Sequence, residues 1–192
     1  MAAIMERIDR GEINGEIVAV ISSNYEAYAL TRARERGIPA YVCALKDFPS
    51  REERDREILR LLKKHECDYC LLAGYLGIVS PLLVEAYPYR IVNIHPALLP
   101  KFGGKGFHGI HVHEAVIKAG EKESGATVHF VDSGTDTGLT IAQRKIAVLN
   151  SDTPETLQSR ILDQIEHKLF PEVVKLLCDD RVSVDSGKVI IK

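Results

Sequence analysis

Short apolar runs alternate with segments of helical periodicity through the first half of this sequence. The runs are typical of buried strands because they are rich in β-branched residues, whereas the segments between them carry apolar residues three and four positions apart. Strands that alternate with helices are typical of proteins in which a parallel sheet lies between two helical layers. The pattern predicts an α/β fold, a three-layer sandwich around a mostly parallel, Rossmann-like sheet. The strand runs are Glu16–Ile21, Ala40–Leu45, Asp68–Ala73 and the run that ends at His95.

Helix and turn signals divide the rest of the chain in the same way. Ser50 and Glu53 form a capping pattern, which predicts a helix with Ile58, Leu61 and Leu62 on its apolar face. No repeat or linker interrupts the pattern, so we expect a single domain over residues 1–192. The other predicted elements are helices at Met1–Arg10, Ala27–Arg36, Ser80–Ala86, His113–Ala119 and 152–177, strands at Ala126–Asp132 and Leu139–Val148, and a hairpin across Asp185–Gly187.

The charge balance excludes several classes of partner. The chain has 25 Lys+Arg against 27 Asp+Glu, which provides no electrostatic surface for nucleic acid or for a membrane. No run reaches the roughly 20 apolar residues of a membrane span, and the charged start does not fit a secretory signal. We therefore expect a cytoplasmic protein that binds small molecules, as a monomer or a weak homodimer.

The cysteine and histidine patterns do not predict a metal site. Cys67 and Cys70 form one C-x-x-C pair, but no second pair completes a zinc site, and Cys70 lies in a predicted strand. His108, His111 and His113 straddle a glycine-rich loop and a helix start without an acidic partner motif. We therefore expect no metal cofactor.

Two polar side chains stand at the end of the run over residues 90–95. Asn93 and His95 are two residues apart, so they point to the same face of an extended backbone. Pro96 keeps His95 extended because a residue before proline avoids helical dihedrals. An amide and an imidazole side by side can serve catalysis as a hydrogen-bond donor and a proton carrier. From these residues alone, two ordinary loop polar groups remain the more frequent explanation.

The turn from Asp132 to Gly138 carries two carboxylates at the carboxyl end of a further predicted strand. Ligands of α/β sheets bind beyond the carboxyl ends of strands, so this turn is a candidate part of the same site. A buried carboxylate beside His95 would raise the pKa of the imidazole, which predicts a proton donor near neutral pH. The alternative is that Asp132 and Asp136 bond their own backbone as turn residues, and the residues alone favour it.

A glycine-rich loop, KFGGKGFHG at residues 101–109, follows the strand that ends at His95. The GGKG within it lacks the following Ser or Thr of a nucleotide-binding P-loop. We therefore expect a mobile flap over the site. His129 lies on a predicted strand, and we expect it to be a structural histidine.

Longer motifs connect these features with a known family. NIHPALLPKF at residues 93–102 is followed by SGATVHFVDSGTDTG at 124–138, and SREERDRE, LLAGYLGIVSP and IEHKLFP extend the match over essentially the whole chain. The chain resembles the glycinamide ribonucleotide formyltransferases. The resemblance implies the formyltransferase fold and transfer of a formyl group from 10-formyltetrahydrofolate to the amine of 5'-phosphoribosylglycinamide in de novo purine biosynthesis. Methionyl-tRNA formyltransferases and formyltetrahydrofolate deformylases share an Asn-x-His strand end and a later Asp-x-Gly, so they remain an alternative.

The resemblance also implies roles for individual residues. Asn93 and His95 would stabilise the oxyanion of a tetrahedral species, and Asp136 would keep His95 charged. The segment from Leu76 to Val79 matches the pterin slot, although core packing is its other explanation and Gly77 stands where the family has an arginine. The implied folate-binding residues are Arg51, Leu76, Gly77, Ile78, Val79, Asn93, Asp132, Ser133, Gly134, Thr135 and Asp136, and Glu166 is implied to contact the ribonucleotide.

The family pattern begins with a strand and a Gly-x-Gly-Ser-Asn phosphate loop, and neither is present in this sequence. Met1 corresponds to a position just after that loop, so we expect a domain that is N-terminally truncated relative to the family, with its first strand missing. One hypothesis is that the sequence is a piece of an active transferase. The other is a degenerate folate-binding remnant. The presence of Asn93, His95 and Asp136 together favours the first.

Overall fold

The computed structural model describes residues 1–75 and 77–192, so the predicted slot residue Leu76 lies outside the described residues. Its strands are β1 (Val20–Ser22), β2 (Ala40–Val42), β3 (Cys70–Leu72), β4 (Ile91–His95), β5 (Glu123–Phe130), β6 (Thr140–Ala147), β7 (Val182–Asp185) and β8 (Lys188–Ile191). β1 pairs with β2 in parallel. A separate four-stranded sheet has the order β3-β4-β5-β6, and β7 and β8 form the predicted hairpin.

The first four strands follow the parallel pairing that the sequence predicts, whereas β5 and β6 do not. β3 and β4 pair in parallel, but β4 with β5 and β5 with β6 pair antiparallel. The connection from β5 to β6 spans only residues 131–139. A parallel connection needs a crossover of a dozen or more residues, so this short turn requires the antiparallel arrangement.

Three predicted strands of about six residues are only three residues long in the structure, one of them Asp68–Ala73, which contributes only β3, Cys70–Leu72. The run Glu16–Ile21 contributes only β1, Val20–Ser22, and Ala40–Leu45 contributes only β2, after which a 3₁₀ turn occupies Leu45–Asp47. Among the described residues, β1 and β2 pair only with each other. Each of these two strands is therefore only as long as the three residues over which they pair.

The helices lie close to their predicted positions. Ser50 accepts a hydrogen bond from the Glu53 N–H at 3.1 Å, as the capping pattern predicts. The helix near residue 113 begins three residues earlier than expected, after Gly109, which has φ +54°. The helices are α1 (Ala2–Asp9), α2 (Tyr28–Glu35), α3 (Arg51–Lys64), α4 (Pro81–Ala86), α5 (Ile110–Lys118), α6 (Pro154–Ile161) and α7 (His167–Cys178). None of these described helices has the length and apolar character needed to cross a membrane.

The predicted helix over 152–177 is interrupted by a π turn at Leu162–Glu166. Its buried residues Leu157, Ile161 and Ile165, followed by Leu169, stand four positions apart. In an α-helix this spacing drifts by about 40° at each step. The wider π turn offsets that drift and keeps the apolar stripe facing the sheet.

The core lies on both faces of the four-stranded sheet. Val92 is fully buried against Val128 and the side chains of α6 and α7. Its neighbour Ile91 points to the other face and packs with Leu61 and Leu62 of α3. Because successive strand residues point to opposite faces, β4 is covered on both sides. The result is the predicted three-layer arrangement, with the carboxyl end of β4 at its edge.

Candidate active site

Asn93 and His95 lie at the carboxyl end of β4, on the same side of the strand. Their antiparallel neighbour β5 places His129 opposite Asn93 and Thr127 opposite His95. His95 is 4% exposed, and Asn93 is half-buried. The two predicted side chains are thus held by the central strand of the sheet instead of by a free loop.

Asp136 is the carboxylate that meets them. Its Oδ2 lies 3.5 Å from Nδ1 of His95, and its Oδ1 lies 3.6 Å from Nε2 of His129. Asp136 has φ +58°, a conformation that aspartate tolerates better than most residues. The structure therefore brings Asp136 to His95, and it brings Asn93 into the same cluster through His129.

His129 has a larger part in the site than the sequence indicates. Its Nδ1–H donates to the Phe130 carbonyl at 2.8 Å, so in the neutral ring Nε2 is free to accept. That nitrogen lies 3.2 Å from the Asn93 amide nitrogen, which donates to it. His129 is 2% exposed and so fixes the orientation of the amide from behind. Only the pairing of β4 with β5 reveals this contact, because 36 residues separate the two positions.

Asp132 remains a turn residue, as the simpler alternative predicts. Its Oδ1 accepts from the Gly134 N–H at 3.0 Å and from the Thr137 hydroxyl at 2.7 Å. Ser133, Gly134 and Thr135 are exposed around it. The two carboxylates of this turn therefore differ: Asp132 shapes the turn, and Asp136 faces the histidines.

Burial has the largest effect on the charge of His95. It lowers the pKa of His95 below the ordinary 6.5, and the Asp136 carboxylate and the Phe102 carbonyl, which raise it, offset this only in part. The prediction of a raised pKa is therefore wrong. One carboxylate at 3.5 Å does not replace the hydration that a charged ring loses in this environment. In the free protein at neutral pH the ring is neutral.

Asp136 is ionised in the same site. Burial alone would raise its pKa, but the contact with His129 and the Gly104 N–H lower it overall, and positive charge on either histidine lowers it further. The Gly104 N–H donates to Oδ2 at 3.0 Å. The cluster thus pairs a negative carboxylate with an imidazole that can accept a proton when negative charge develops nearby.

The loop over residues 101–109, predicted to be a flap, packs on this cluster. The Phe102 carbonyl accepts from His95 Nε2 at 2.7 Å, which assigns the ring proton to that nitrogen. A Cβ at Gly103 would overlap a methyl group of Leu99 and approach the Asp136 Cβ, so a larger residue there would have to displace the Leu99 side chain. Nε2 of His95 and Oδ2 of Asp136 are therefore both engaged by the loop.

A second network holds the chain that leaves β4. The Thr127 hydroxyl donates to the Ala97 carbonyl at 2.7 Å and accepts from the Leu99 N–H at 3.2 Å. The side-chain amide of Gln143 donates to the same hydroxyl at 2.8 Å and to the Leu99 carbonyl at 3.1 Å. β5 and β6 therefore fix the path of residues 97–99 into the loop. This role was not predicted from the sequence.

The predicted folate segment lies after β3. Ile78 is 43% exposed, while Val79 packs partly against the core between the sheet and α3. Any side chain at Gly77 would collide with the Tyr75 ring, the nearest ring atom being 2.7 Å away. Arg51 is exposed at the first residue of α3. Arg51, Gly77 and Ile78 are therefore exposed, whereas Val79 is partly buried.

Glu166 lies at the end of the π turn. Burial raises the pKa of Glu166 to about 7, and the nearby Met1 amino group lowers it only in part. Among the described residues, no hydrogen bond or ion pair joins Glu166 to His95, Asn93 or Asp136. The charged group that acts on Glu166 is the amino group of Met1, the residue before α1.

The described residues include no group of three or more His, Cys, Asp or Glu side chains that could hold a metal ion. Among the histidines near the loop, His111 pairs with Glu114 at 2.9 Å on the surface. His113 is buried, and both of its ring nitrogens are without a hydrogen-bond partner in the described structure. These histidines are therefore in unlike environments.

The chain is similar to proteins of one known family. The formyl transferase family profile matches residues 1–174. The chain is 35% identical over 184 residues to the phosphoribosylglycinamide formyltransferase of Escherichia coli K12, a match that covers 96% of this chain and 84% of that protein. The chain belongs to the phosphoribosylglycinamide formyltransferase family.

Two plant phosphoribosylglycinamide formyltransferases are longer than the segment that matches this chain. The chloroplastic member from Arabidopsis thaliana is 44% identical over 180 residues, which are 93% of this chain and 61% of the relative. The chloroplastic member from Vigna unguiculata is 40% identical and is covered to 57%. The chain thus spans about three fifths of these two curated relatives.

Solved members of the phosphoribosylglycinamide formyltransferase family have the same fold. The glycinamide ribonucleotide transformylase 1 of Symbiobacterium toebii superposes with a TM-score of 0.91 at 37% identity, covering 98% of this chain and 86% of that one. The α/β fold class and the family resemblance predicted from the sequence are both confirmed.

Proposed function

We propose that this chain transfers a formyl group from 10-formyltetrahydrofolate to the amine of 5'-phosphoribosylglycinamide. The observation that carries the proposal is the cluster at the end of β4, in which Asp136 lies within 3.6 Å of both His95 and His129, and His129 holds Asn93. The family of the chain supplies the chemistry to which this cluster is suited.

Asn93 and His95 act on the oxygen of the transferred group. Attack of the amine on the formyl carbon places negative charge on the formyl oxygen. One N–H of the Asn93 amide donates to His129, and the second is available to that oxygen. The Nε2–H of His95 is the other donor once the Phe102 carbonyl moves away from it.

Asp136 stabilises the positive charge that His95 gains during the reaction. The new negative charge raises the proton affinity of the ring, and Asp136 already lies 3.5 Å from Nδ1 to stabilise the second proton. As the new C–N bond forms, a water or His95 itself relays the amine proton to the departing folate nitrogen. The C–N bond to the folate then breaks and releases tetrahydrofolate.

The folate lies against the segment after β3 and the turn before β6. We assign the pterin to residues 77–79 and to the backbone of residues 132–136, and the glutamate tail to Arg51. Glu166, with a pKa of about 7, contacts the ribonucleotide as a partly protonated acceptor and donor. The Met1 amino group, which acts on the Glu166 carboxyl, belongs to the residue before α1.

Several wider properties stay predictions. They are a single domain over residues 1–192; a monomeric or weakly dimeric state; a cytoplasmic location; and the absence of nucleic-acid, membrane and metal partners.

A coupled assay tests the proposal. The purified chain is mixed with 10-formyltetrahydrofolate and 5'-phosphoribosylglycinamide, and tetrahydrofolate release and formylated product are both measured. We expect release that depends on the ribonucleotide and equals product formation. Release of formate without the ribonucleotide would indicate a deformylase instead. Absence of turnover with retained folate binding would indicate a degenerate remnant.

A further inference from the structure

A buried ion pair on α3 faces the segment after β3. The side chains of Arg54 and Asp55 are 4% and 0% exposed. Nε and Nη2 of Arg54 donate to the same Asp55 oxygen at 2.7 and 2.5 Å. By contrast, the Glu57–Arg60 pair of the same helix lies on its more exposed face. A buried pair is costly to desolvate and persists where further hydrogen bonds satisfy it.

Those further hydrogen bonds go to the backbone of the predicted folate segment. The other oxygen of Asp55 accepts from the Ser80 N–H at 2.7 Å. Nη2 of Arg54 also donates to the Ile78 carbonyl at 3.3 Å, and its guanidinium carbon lies 5.9 Å from the Tyr75 ring centre. The pair therefore holds one carbonyl and one N–H on either side of Val79.

This anchoring determines how Val79 presents its own backbone. In a trans peptide unit the carbonyl and the N–H point in opposite directions. The Ile78 carbonyl points to Arg54, so the Val79 N–H points away from α3. The Ser80 N–H points to Asp55, so the Val79 carbonyl also points away from α3. One residue thus offers a donor and an acceptor side by side, which complements the amide-like edge of a pterin ring.

We infer that Arg54 and Asp55 are positioning residues for folate binding, because they hold the backbone of residues 78–80 in the conformation that receives the pterin. The inference rests on the proposed function. It adds that the geometry of the slot is set from α3 through a buried ion pair and not by the slot residues alone.

The test replaces the pair with apolar residues of similar volume. The double variant Arg54→Met/Asp55→Leu removes both anchors without leaving a buried charge, and such replacements often keep the fold stable. We expect the KM for 10-formyltetrahydrofolate and the Kd for tetrahydrofolate to rise about tenfold, as for the loss of a well-formed hydrogen bond, with kcat within about threefold. We also expect the Ser80 amide to exchange its hydrogen faster.

Two further variants make the result decisive. Glu57→Gln/Arg60→Met breaks an ion pair on the exposed face of the same helix, and it should change none of these values. Ser80→Pro removes the donor from the other side, and the φ of −77° at Ser80 is compatible with proline. If the double variant does not fold, Ser80→Pro is expected to show the same rise in KM and Kd.

The outcomes separate this inference from the proposed function. A parent chain that binds tetrahydrofolate but transfers no formyl group would contradict the function, while the Kd comparison would still decide the inference. Unchanged Kd in the folded variants, or unchanged exchange at Ser80 in the double variant, would overturn the role of the pair. A parent that binds no folate would overturn both.

Discussion

The His95 ring lies between two acceptors, the Phe102 carbonyl and the Asp136 carboxylate, yet it is neutral in the free protein. Both contacts favour the charged ring, and burial disfavours it by more. This balance suits a group that gains charge only during a reaction, because the developing oxyanion adds the missing stabilisation.

The first prediction concerns His95 and Asp136. His95→Ala and Asp136→Asn should each lower kcat by about 100-fold or more, since each removes a preorganised group of the proposed transition state. Single-turnover rates measure the effect, and circular dichroism checks the fold. The exposed His111→Ala is the matched control and should keep the parent rate. A His95 or Asp136 variant with more than a tenth of the parent kcat would contradict these assignments.

The second prediction concerns His113. Burial and then the charge of His95 lower its pKa to about 4, and no partner in the described structure offsets the burial. The unfolded chain therefore binds the proton near pH 6.5 and the folded protein does not. Stability from this group is present above about pH 6.5 and is lost as the pH falls towards 4.

His113→Leu removes that dependence and a buried polar ring without partners. We expect the free energy of unfolding to rise, and to rise by about 2–3 kcal/mol more at pH 4.5 than at pH 7.5. Urea denaturation at the two values measures the difference. An equal effect at the two pH values would show that folding does not lower the pKa of His113.

At the scale of elements, β5 supports the site from behind. It carries His129 opposite Asn93 and Thr127 opposite His95. Thr127 is fully buried, and its hydroxyl joins the backbone of residues 97–99 to Gln143. The Thr127 hydroxyl and the Gln143 amide therefore together hold the path by which the chain leaves β4.

Thr127→Val keeps the shape of this side chain and deletes the hydroxyl. The Ala97 carbonyl loses its donor and the Leu99 N–H loses its acceptor, so we expect a loss of about 1–3 kcal/mol in the free energy of unfolding. Chemical denaturation provides the measurement. Thr127→Ser retains the hydroxyl and should be close to the parent, and equal losses in the two variants would assign the effect to packing.

At the scale of the whole molecule, buried apolar residues are unevenly distributed among the strands. β1 and β2 pair only with each other among the described strands, and their core cluster consists of Val20, Leu30 and Ala33. β4 lies inside a four-stranded sheet with apolar clusters on both faces. Regions with few buried contacts open at lower free energy than such a core.

Native-state hydrogen exchange should therefore distinguish the β1–β2 pair from the four-stranded sheet. We expect the amides of Val20–Ser22 and Ala40–Val42 to exchange faster than those of Ile91–His95 under conditions in which opening is rapid. The antiparallel hairpin β7–β8 serves as an internal reference for exposed strands. Equal protection in β1 and β4 would show that the two sheets open together as one cooperative unit.

Much of the fold and part of the site follow from local sequence. The helix start at Ser50, the shared face of Asn93 and His95 and the turn at Asp132 depend on neighbours within a few positions. The antiparallel pairing of β5 and β6 could be predicted because the connection over residues 131–139 is too short for a parallel crossover. The four-residue spacing of Leu157, Ile161 and Ile165 is compatible with the π turn but does not by itself predict it.

By itself, the sequence determined the α/β class, the family, and the identity of the amide, the imidazole and the carboxylate. These are local properties, set by dihedral preference, periodicity and motif spacing. Tertiary structure alone decided that His129 holds Asn93, that burial lowers the pKa of His95 against the pull of Asp136, and that Arg54 and Asp55 anchor residues 78–80. Each of these depends on groups 24 or more residues apart, or on how much water the fold removes, and hydration and contact are properties of the assembled protein.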